Sequence, residues 1–331
     1  MKKIRLHLNE NHNATFLNIL NKHNYEYEYP LNQIQKLKQA ISNSFNISAE
    51  NVFVVSGIDE GIFHFLQFIK LSGKTLLLNF PNYIGIIDAV EALNISYITC
   101  IQSGVSFESK LIIDELEKNK KIGAVYLCNP RNPVGTAEEL ESIIEYCRKN
   151  EILVFLDEAY AEFCNNGFPN GSEVMTYSNV IISRTFSKAY GLAGIRCGYI
   201  YTINKDFSEY LSSVEISNPY RISTHTIECA FKAIQDRSRL VNSLMKIEKT
   251  KKYLSKEFDK LGIKYVPSKT NFICFTMGSR STELCNFLRT EGIFITSTEK
   301  NGLTDYCRVS IGTKKETMFF IRKLREFTKG V

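Results

Sequence analysis

The residues in this chain best suited to chemistry sit in four turns, each at the end of an apolar, strand-like run. The richest is Ser183-Arg184-Thr185-Phe186-Ser187-Lys188-Ala189-Tyr190-Gly191-Leu192-Ala193-Gly194-Ile195-Arg196. An isolated lysine is usually a solvated surface residue. At the mouth of a sheet, with the hydroxyls of Thr185 and Ser187 beside it and Arg196 eight residues on, Lys188 is a candidate Schiff-base former with phosphate ligands next to it. In Ile152-Leu-Val-Phe-Leu-Asp157-Glu158-Ala159-Tyr160, Asp157 ends an apolar strand. A carboxylate there is costly unless it meets a cation, and a protonated heterocyclic nitrogen, an arginine or a lysine would each serve. A structural ion pair or helix cap competes with these. Ser56-Gly57-Ile58-Asp59-Glu60 is a glycine turn opening a helix, whose free N–H groups and dipole suit a phosphate; taken alone, a plain tight turn explains it better. Cys128-Asn129-Pro130-Arg131-Asn132-Pro133-Val134-Gly135 is a stiff loop able to hold an asparagine toward a ligand, or simply a rigid connection.

These turns need a frame that brings them together. Helical spacing runs from Leu31 through Ile34, Leu37, Ile41 and Phe45, after a polar, tyrosine-rich arm ending at Tyr29-Pro30. Strand-like and helix-like stretches then alternate. The strands are 51–55, 76–78, 95–99, 123–128, 152–156 and 180–183; the helices are 58–69, 84–93, 111–118 and 138–149. Continuous apolar strands separated by helices predict an α/β fold with a mostly parallel central sheet, covered on both faces. Ligands in such sheets bind outside the carboxyl ends of the strands, where the four turns lie. After about residue 240 the rhythm changes to helix 244–261, strand 271–275, helix 282–291, strands 293–296 and 307–311 and helix 315–327, a smaller α+β unit. The expected division is an arm, 1–30, a large domain, 31–240, and a small C-terminal domain, 241–331.

Composition narrows the class. With 331 residues, 44% hydrophobic and 23% charged, the chain suits a globular protein with a sizeable core. The net charge of +6 is scattered, which is weak evidence for nucleic acid and equally compatible with small anions. Nine cysteines without a C-x-x-C pair predict reduced thiols in a cytoplasmic protein. No signal peptide and no run of ~18 apolar residues is present, so no membrane span is expected. The five histidines, His7, His12, His23, His64 and His225, lack metal-ligand spacing, and no metal is expected. No G-x-G-x-x-G follows the first strand, which argues against a dinucleotide enzyme, and a DNA-binding regulator is disfavoured because no DNA-binding segment flanks the domain.

S-K-x-x-G-x-x-G-x-R at 187–196, D-E-A-Y at 157–160, C-N-P-R-N-P-V-G at 128–135, S-G-I-D-E-G at 56–61 and Y-C-R-V-S-I-G-T at 306–313 together resemble the fold-type I pyridoxal-phosphate aminotransferases. The nearest branch is the histidinol-phosphate aminotransferase group, which includes threonine-phosphate decarboxylase. The resemblance runs in order from about Leu8 to Arg325. It implies that Lys188 holds pyridoxal phosphate, that Asp157 pairs with its ring nitrogen, and that Tyr160 and Asn132 reach the ring oxygen while Tyr83 stacks on the ring. It implies a phosphate site made of Gly57, Ile58, Asp59, Thr185, Ser187 and Arg196. Tyr29 would reach the cofactor of a second subunit, so a homodimer is expected. Arg308 would grip the substrate carboxylate, and Asn9-Glu10-Asn11 would close over it. The activity implied is transamination of a small amino acid or amino alcohol, phosphorylated or not, with decarboxylation as the alternative on the same scaffold.

Two positions depart from that pattern. Thr296 stands where histidinol-phosphate enzymes carry an arginine for the substrate phosphate, which favours a neutral or differently charged substrate unless Lys300 or Arg221 substitutes. Arg131 occupies a position where this group often has a small or polar residue, and a solvated loop arginine is expected there.

Overall fold

The computed structural model describes residues 3–14, 29–30, 32–164 and 176–329. Leu31 and most of the tyrosine-rich arm lie outside them. In chain order the elements are β1 (Ile4–Arg5), α1 (Gln33–Phe45), β2 (Val52–Val55), α2 (Ile58–Leu71), β3 (Thr75–Phe80), α3 (Ile84–Ala92), β4 (Tyr97–Ile101), α4 (Ser109–Lys118), β5 (Ile122–Cys128), α5 (Glu141–Lys149), β6 (Leu153–Asp157) and β7 (Val180–Thr185). They continue with β8 (Gly198–Thr202), α6 (Lys205–Ser217), α7 (Thr224–Gln235), α8 (Arg237–Lys260), β9 (Phe272–Thr276), α9 (Ser281–Thr290), β10 (Ile293–Phe294), β11 (Thr296–Ser297), β12 (Tyr306–Ser310) and α10 (Lys314–Lys329).

The central sheet has the order β2-β8-β7-β6-β5-β3-β4, parallel except at β8, which runs antiparallel to both neighbours. Successive residues of each strand feed opposite faces, as the two-residue period of a strand requires. Val125, Val154 and Ile182 enter one apolar cluster, while Ala124, Phe155 and Ile181 enter the other. Helices cover both faces, so the strands carry no polar stripe, and this is why they read as continuous apolar runs.

β8, α6 and α7 were not anticipated from sequence. Gly198-Tyr-Ile-Tyr-Thr202 follows the glycine-rich turn directly and is only five residues long, and α6 mixes serines and acidic residues with few apolar ones. The expected strand 293–296 divides in two. Ile293–Phe294 pairs in parallel with Ile4–Arg5, whereas Thr296–Ser297 pairs antiparallel with β12, whose other neighbour is β9. A third cluster gathers Phe258, Phe275, Val309, Phe320 and Leu6. α8 reaches two of these cores, with Leu240 in the first and Ile247 and Leu254 in the third.

Candidate active site

Because β2, β3, β5, β6 and β7 are mutually parallel in direction, their carboxyl ends and the turns that follow lie along one edge of the sheet. A cavity of about 370 Å3 opens there. Ile58, Asp59, Tyr83, Asn132, Asp157, Tyr160, Thr185, Ser187, Lys188 and Arg196 line it, and from the N-terminal segment Glu10 does too.

The turn after β2 needs its glycine. Gly57 has φ +81°, and a Cβ there would lie 2.4 Å from Nη2 of Arg196. Asp59, in the first turn of α2, accepts from Tyr83 Oη at 3.1 Å and pairs with Arg196 at 2.8 Å. Burial, with Asp59 beside it, raises the Tyr83 phenol, so it stays protonated and donates. Across the turn, Ser187 N–H donates to Thr185 Oγ1 at 3.0 Å, and Arg196 Nη1 reaches Ser187 Oγ at 3.5 Å.

Asp157 is buried at the end of β6, with its partner in register Cys128 on β5. Tyr126 Oη donates to Oδ2 at 2.5 Å and Ala159 N–H to Oδ1 at 3.0 Å. No ion pair to this carboxylate exists among the described residues. The expected cation is therefore not supplied by a side chain there, and burial pushes the carboxyl up to about 6. Lys188, after β7, is driven the other way. Burial and the nearby Arg308 bring its ammonium down to about 8, and Nζ donates to the carbonyl of Leu8 at 3.0 Å.

Arg308 lies in β12, buried, off the cavity lining itself but joined to it through Asn132, whose Oδ1 accepts from Nη1. Nη2 donates to the carbonyl of His7 at 2.8 Å, while Nε has no partner. No carboxylate pairs with this guanidinium among the described residues. Asn132 thus spends its oxygen on Arg308. Tyr160, in the same way, accepts from Asn9 Nδ2 at 2.9 Å. Asn9 has φ +53°, which asparagine tolerates better than most residues, and its backbone is held by Ser310 Oγ and Asn271 Nδ2, each at 2.9 Å. Residues 4–13 therefore form a strap from β10 across the cavity mouth, pinned on the far side by Asn11 Nδ2, which donates to Ala189 O at 2.9 Å.

Tyr29, expected at the cofactor of a second subunit, is exposed, stacks on Tyr220 at 4.3 Å and does not line this chain's own cavity. Three expectations are corrected. Arg131 is not solvated: it is 2% exposed, its Nη1 donates to the carbonyls of Val105 and Ser106, and its guanidinium lies over Phe107. It ties the loop before α4 to the Asn132 loop. Arg221 cannot stand in for a missing phosphate cation, since Glu60 and Glu215 hold it at 3.4 and 3.6 Å. Lys300 is exposed and off the cavity lining. Sequence reasoning also missed Arg5, Leu8 and Tyr126. Tyr126 was detectable, being two residues before Cys128 on the same strand face; Arg5 and Leu8 carried no local signal.

The model of one protein family, aminotransferase class I and II, matches residues 2–324. A histidinol-phosphate aminotransferase of Clostridium botulinum (strain Hall) is 30% identical over 303 residues, covering 90% of this chain and 83% of that protein. The crystal structure of histidinol-phosphate aminotransferase from Sinorhizobium meliloti in complex with pyridoxal-5'-phosphate superposes with a TM-score of 0.88 at 23% identity, covering 99% of this chain and 91% of that one. L-threonine-O-3-phosphate decarboxylase from Porphyromonas gingivalis superposes at 0.76 and 18% identity, over 98% of this chain and 99% of that one. With a match over nearly its whole length, the chain belongs to the aminotransferase class I and II family, a family of pyridoxal-phosphate-dependent transaminases.

Proposed function

We propose that the chain is a pyridoxal-phosphate-dependent aminotransferase of the histidinol-phosphate aminotransferase type, acting on a small amino acid or amino alcohol with a 2-oxo-acid partner. The observation that carries this is one cavity lined by the Asp157 carboxyl without an ion-pair partner and the Lys188 amine with its ammonium near 8, with the Arg308 guanidinium, which has no carboxylate partner among the described residues, joined to it through Asn132.

The residues present fit the cofactor. A buried carboxylate with no ion-pair partner suits a protonated ring nitrogen, and the Gly57 turn, too tight for a Cβ, suits a phosphate against backbone N–H groups. The Gly57, Ile58 and Asp59 amides with Thr185, Ser187 and Arg196 would hold that phosphate, Lys188 the aldehyde carbon, and Tyr83, Asn132 and Tyr160 the ring. Bound there, pyridoxal phosphate supplies an electrophilic carbon and a ring that takes up electron density from the substrate α-carbon.

The chain's own residues do the remainder. Lys188, lowered toward neutrality, carries a free amine in an appreciable fraction of molecules at pH 7 to 8 and moves a proton at the substrate carbon. Asp157 stays ionised once a cation faces it, because opposite charge reverses the effect of burial. Arg308 receives the substrate carboxylate through its unpartnered Nε. Leu8, Asn9 and Glu10 cover the mouth and limit water.

A homodimer belongs to the same reading, supported by the exposed side chains of Tyr29, Tyr220 and Ile216, and so does a cytoplasmic location with free cysteines. The test is to screen amino acids and amino alcohols against purified protein for a change in the cofactor's visible band and for products. Keto product with a second amino acid restoring the band supports transamination; released carbon dioxide with an amine product replaces it with decarboxylation. Protein without cofactor absorbance, or with it unchanged in Lys188→Ala, removes the reading altogether.

A further inference from the structure

The charge balance around the cavity, taken with the aminotransferase reading on which this inference rests, says what kind of amine fits. Three cations line the cavity, Arg5, Lys188 and Arg196, against three carboxylates, Glu10, Asp59 and Asp157. Arg196 is already paired with Asp59 at 2.8 Å. Arg5 is gripped at both prongs by Glu10, with Nε on Oε2 at 3.0 Å and Nη2 on Oε1.

That leaves Arg308 as the cation for the substrate. One planar guanidinium matches one carboxylate. A phosphate monoester carries about −1.5 to −2 charges near pH 7, so beyond one guanidinium it calls for a second cation or a helix N-terminus to complete its neutralisation. Among the described residues lining the cavity, no second cation is free. Thr296 pairs in register with Arg308 on the adjacent strand, and its hydroxyl is spent on the carbonyl of His7 at 2.9 Å. Arg221 is held by Glu60 and Glu215. To recruit Arg5, a phosphorylated substrate must break the bidentate pair and leave the Glu10 carboxylate facing its own negative charge.

We propose that the site selects α-amino acids with uncharged side chains over phosphorylated amines, and that Glu10 sets this preference by neutralising Arg5. Glu10 is a specificity-determining residue acting through Arg5. Removing its charge while keeping its shape converts Arg5 into a free anion receptor at the cavity rim.

The test uses cofactor-loaded enzyme, wild type, Glu10→Gln and Arg5→Gln. Values of kcat/KM are compared for L-alanine, L-leucine and L-glutamine against histidinol phosphate and O-phospho-L-serine. Inorganic phosphate binding is measured in parallel by calorimetry, which needs no turnover. Wild type should favour the uncharged amino acids. Glu10→Gln should move the ratio toward the phosphorylated amines by about tenfold and tighten phosphate by a similar factor, and Arg5→Gln should do neither. A wild-type preference for the phosphorylated amines, or a Glu10→Gln variant whose phosphate affinity is unchanged, overturns the proposal. Protein that takes up no pyridoxal phosphate fails the aminotransferase reading instead, so the two failures are distinct.

Discussion

The amine of Lys188 donates a hydrogen bond of 3.0 Å to the backbone carbonyl of Leu8, 180 residues earlier in the chain. The group assigned the proton transfer is thus held by the strap that covers it. Its ammonium lies near 8 because of burial first and the Arg308 cation second. Attachment of pyridoxal phosphate to the apoprotein requires the neutral amine. The attachment rate, followed by visible absorbance, should rise about tenfold per pH unit below 8 and level off above it. Arg308→Gln removes a positive neighbour and should shift that midpoint upward; an unmoved midpoint would contradict the coupling.

Asp157 is raised to about 6 from an ordinary value of 3.8 by burial. The folded apoprotein therefore holds this proton over a pH range where the unfolded chain has lost it. Stability should fall as pH rises from about 4 to 6, by about 3 kcal/mol if the shift is near two units. Asp157→Asn should flatten that slope in denaturant titrations and leave the apoprotein more stable at pH 8. The same substitution should cut transamination by several orders of magnitude. Equal slopes in wild type and variant would refute the assignment.

Gly57→Ala places a methyl group where Arg196 Nη2 now lies, at a backbone angle that side chains rarely adopt. Destabilisation of about 1–3 kcal/mol is expected, with weakened cofactor retention on gel filtration. Arg196→Ala in the Gly57→Ala background should recover part of the stability, since it removes the clashing atom and leaves only the angle strained.

Asn9 joins the strap to Tyr160, Ser310 and Asn271. Asn9→Ala should raise KM for the amino donor about tenfold, the value of one or two lost hydrogen bonds, with a smaller fall in kcat. Tyr160→Phe removes the acceptor of one strap bond together with the hydroxyl assigned to the cofactor ring, and should raise KM less while weakening cofactor retention.

Much of this site was legible because its residues sit where apolar runs stop. Lys188, Asp157 and the Gly57 turn are each announced by a buried strand ending in a polar or glycine residue, a pattern local to the sequence. Arg131 was misread because its partners, the carbonyls of Val105 and Ser106, lie in a loop some 25 residues earlier, and no local pattern reveals a carbonyl waiting for a guanidinium. Arg5 was missed for a similar reason. A two-residue strand paired with residues near 293 has no periodicity to detect, and its place at the cavity depends wholly on that pairing. The antiparallel β8 escaped because five residues after a glycine turn look like loop until a neighbouring strand claims their hydrogen bonds.

The strap has a consequence for how the molecule is made. Leu6 packs in the same cluster as Ile293, Val309 and Phe320, and Asn9 bonds to Ser310, 301 residues downstream. A ribosome adds ~5–20 residues per second, so the strap waits on the order of fifteen seconds to a minute for the strands that will hold it. The sheet edge bearing Lys188 can form in that interval, but its cover cannot. A nascent chain stalled before residue 290 should therefore react at its lysine with a bulky aldehyde probe faster than the finished apoprotein does.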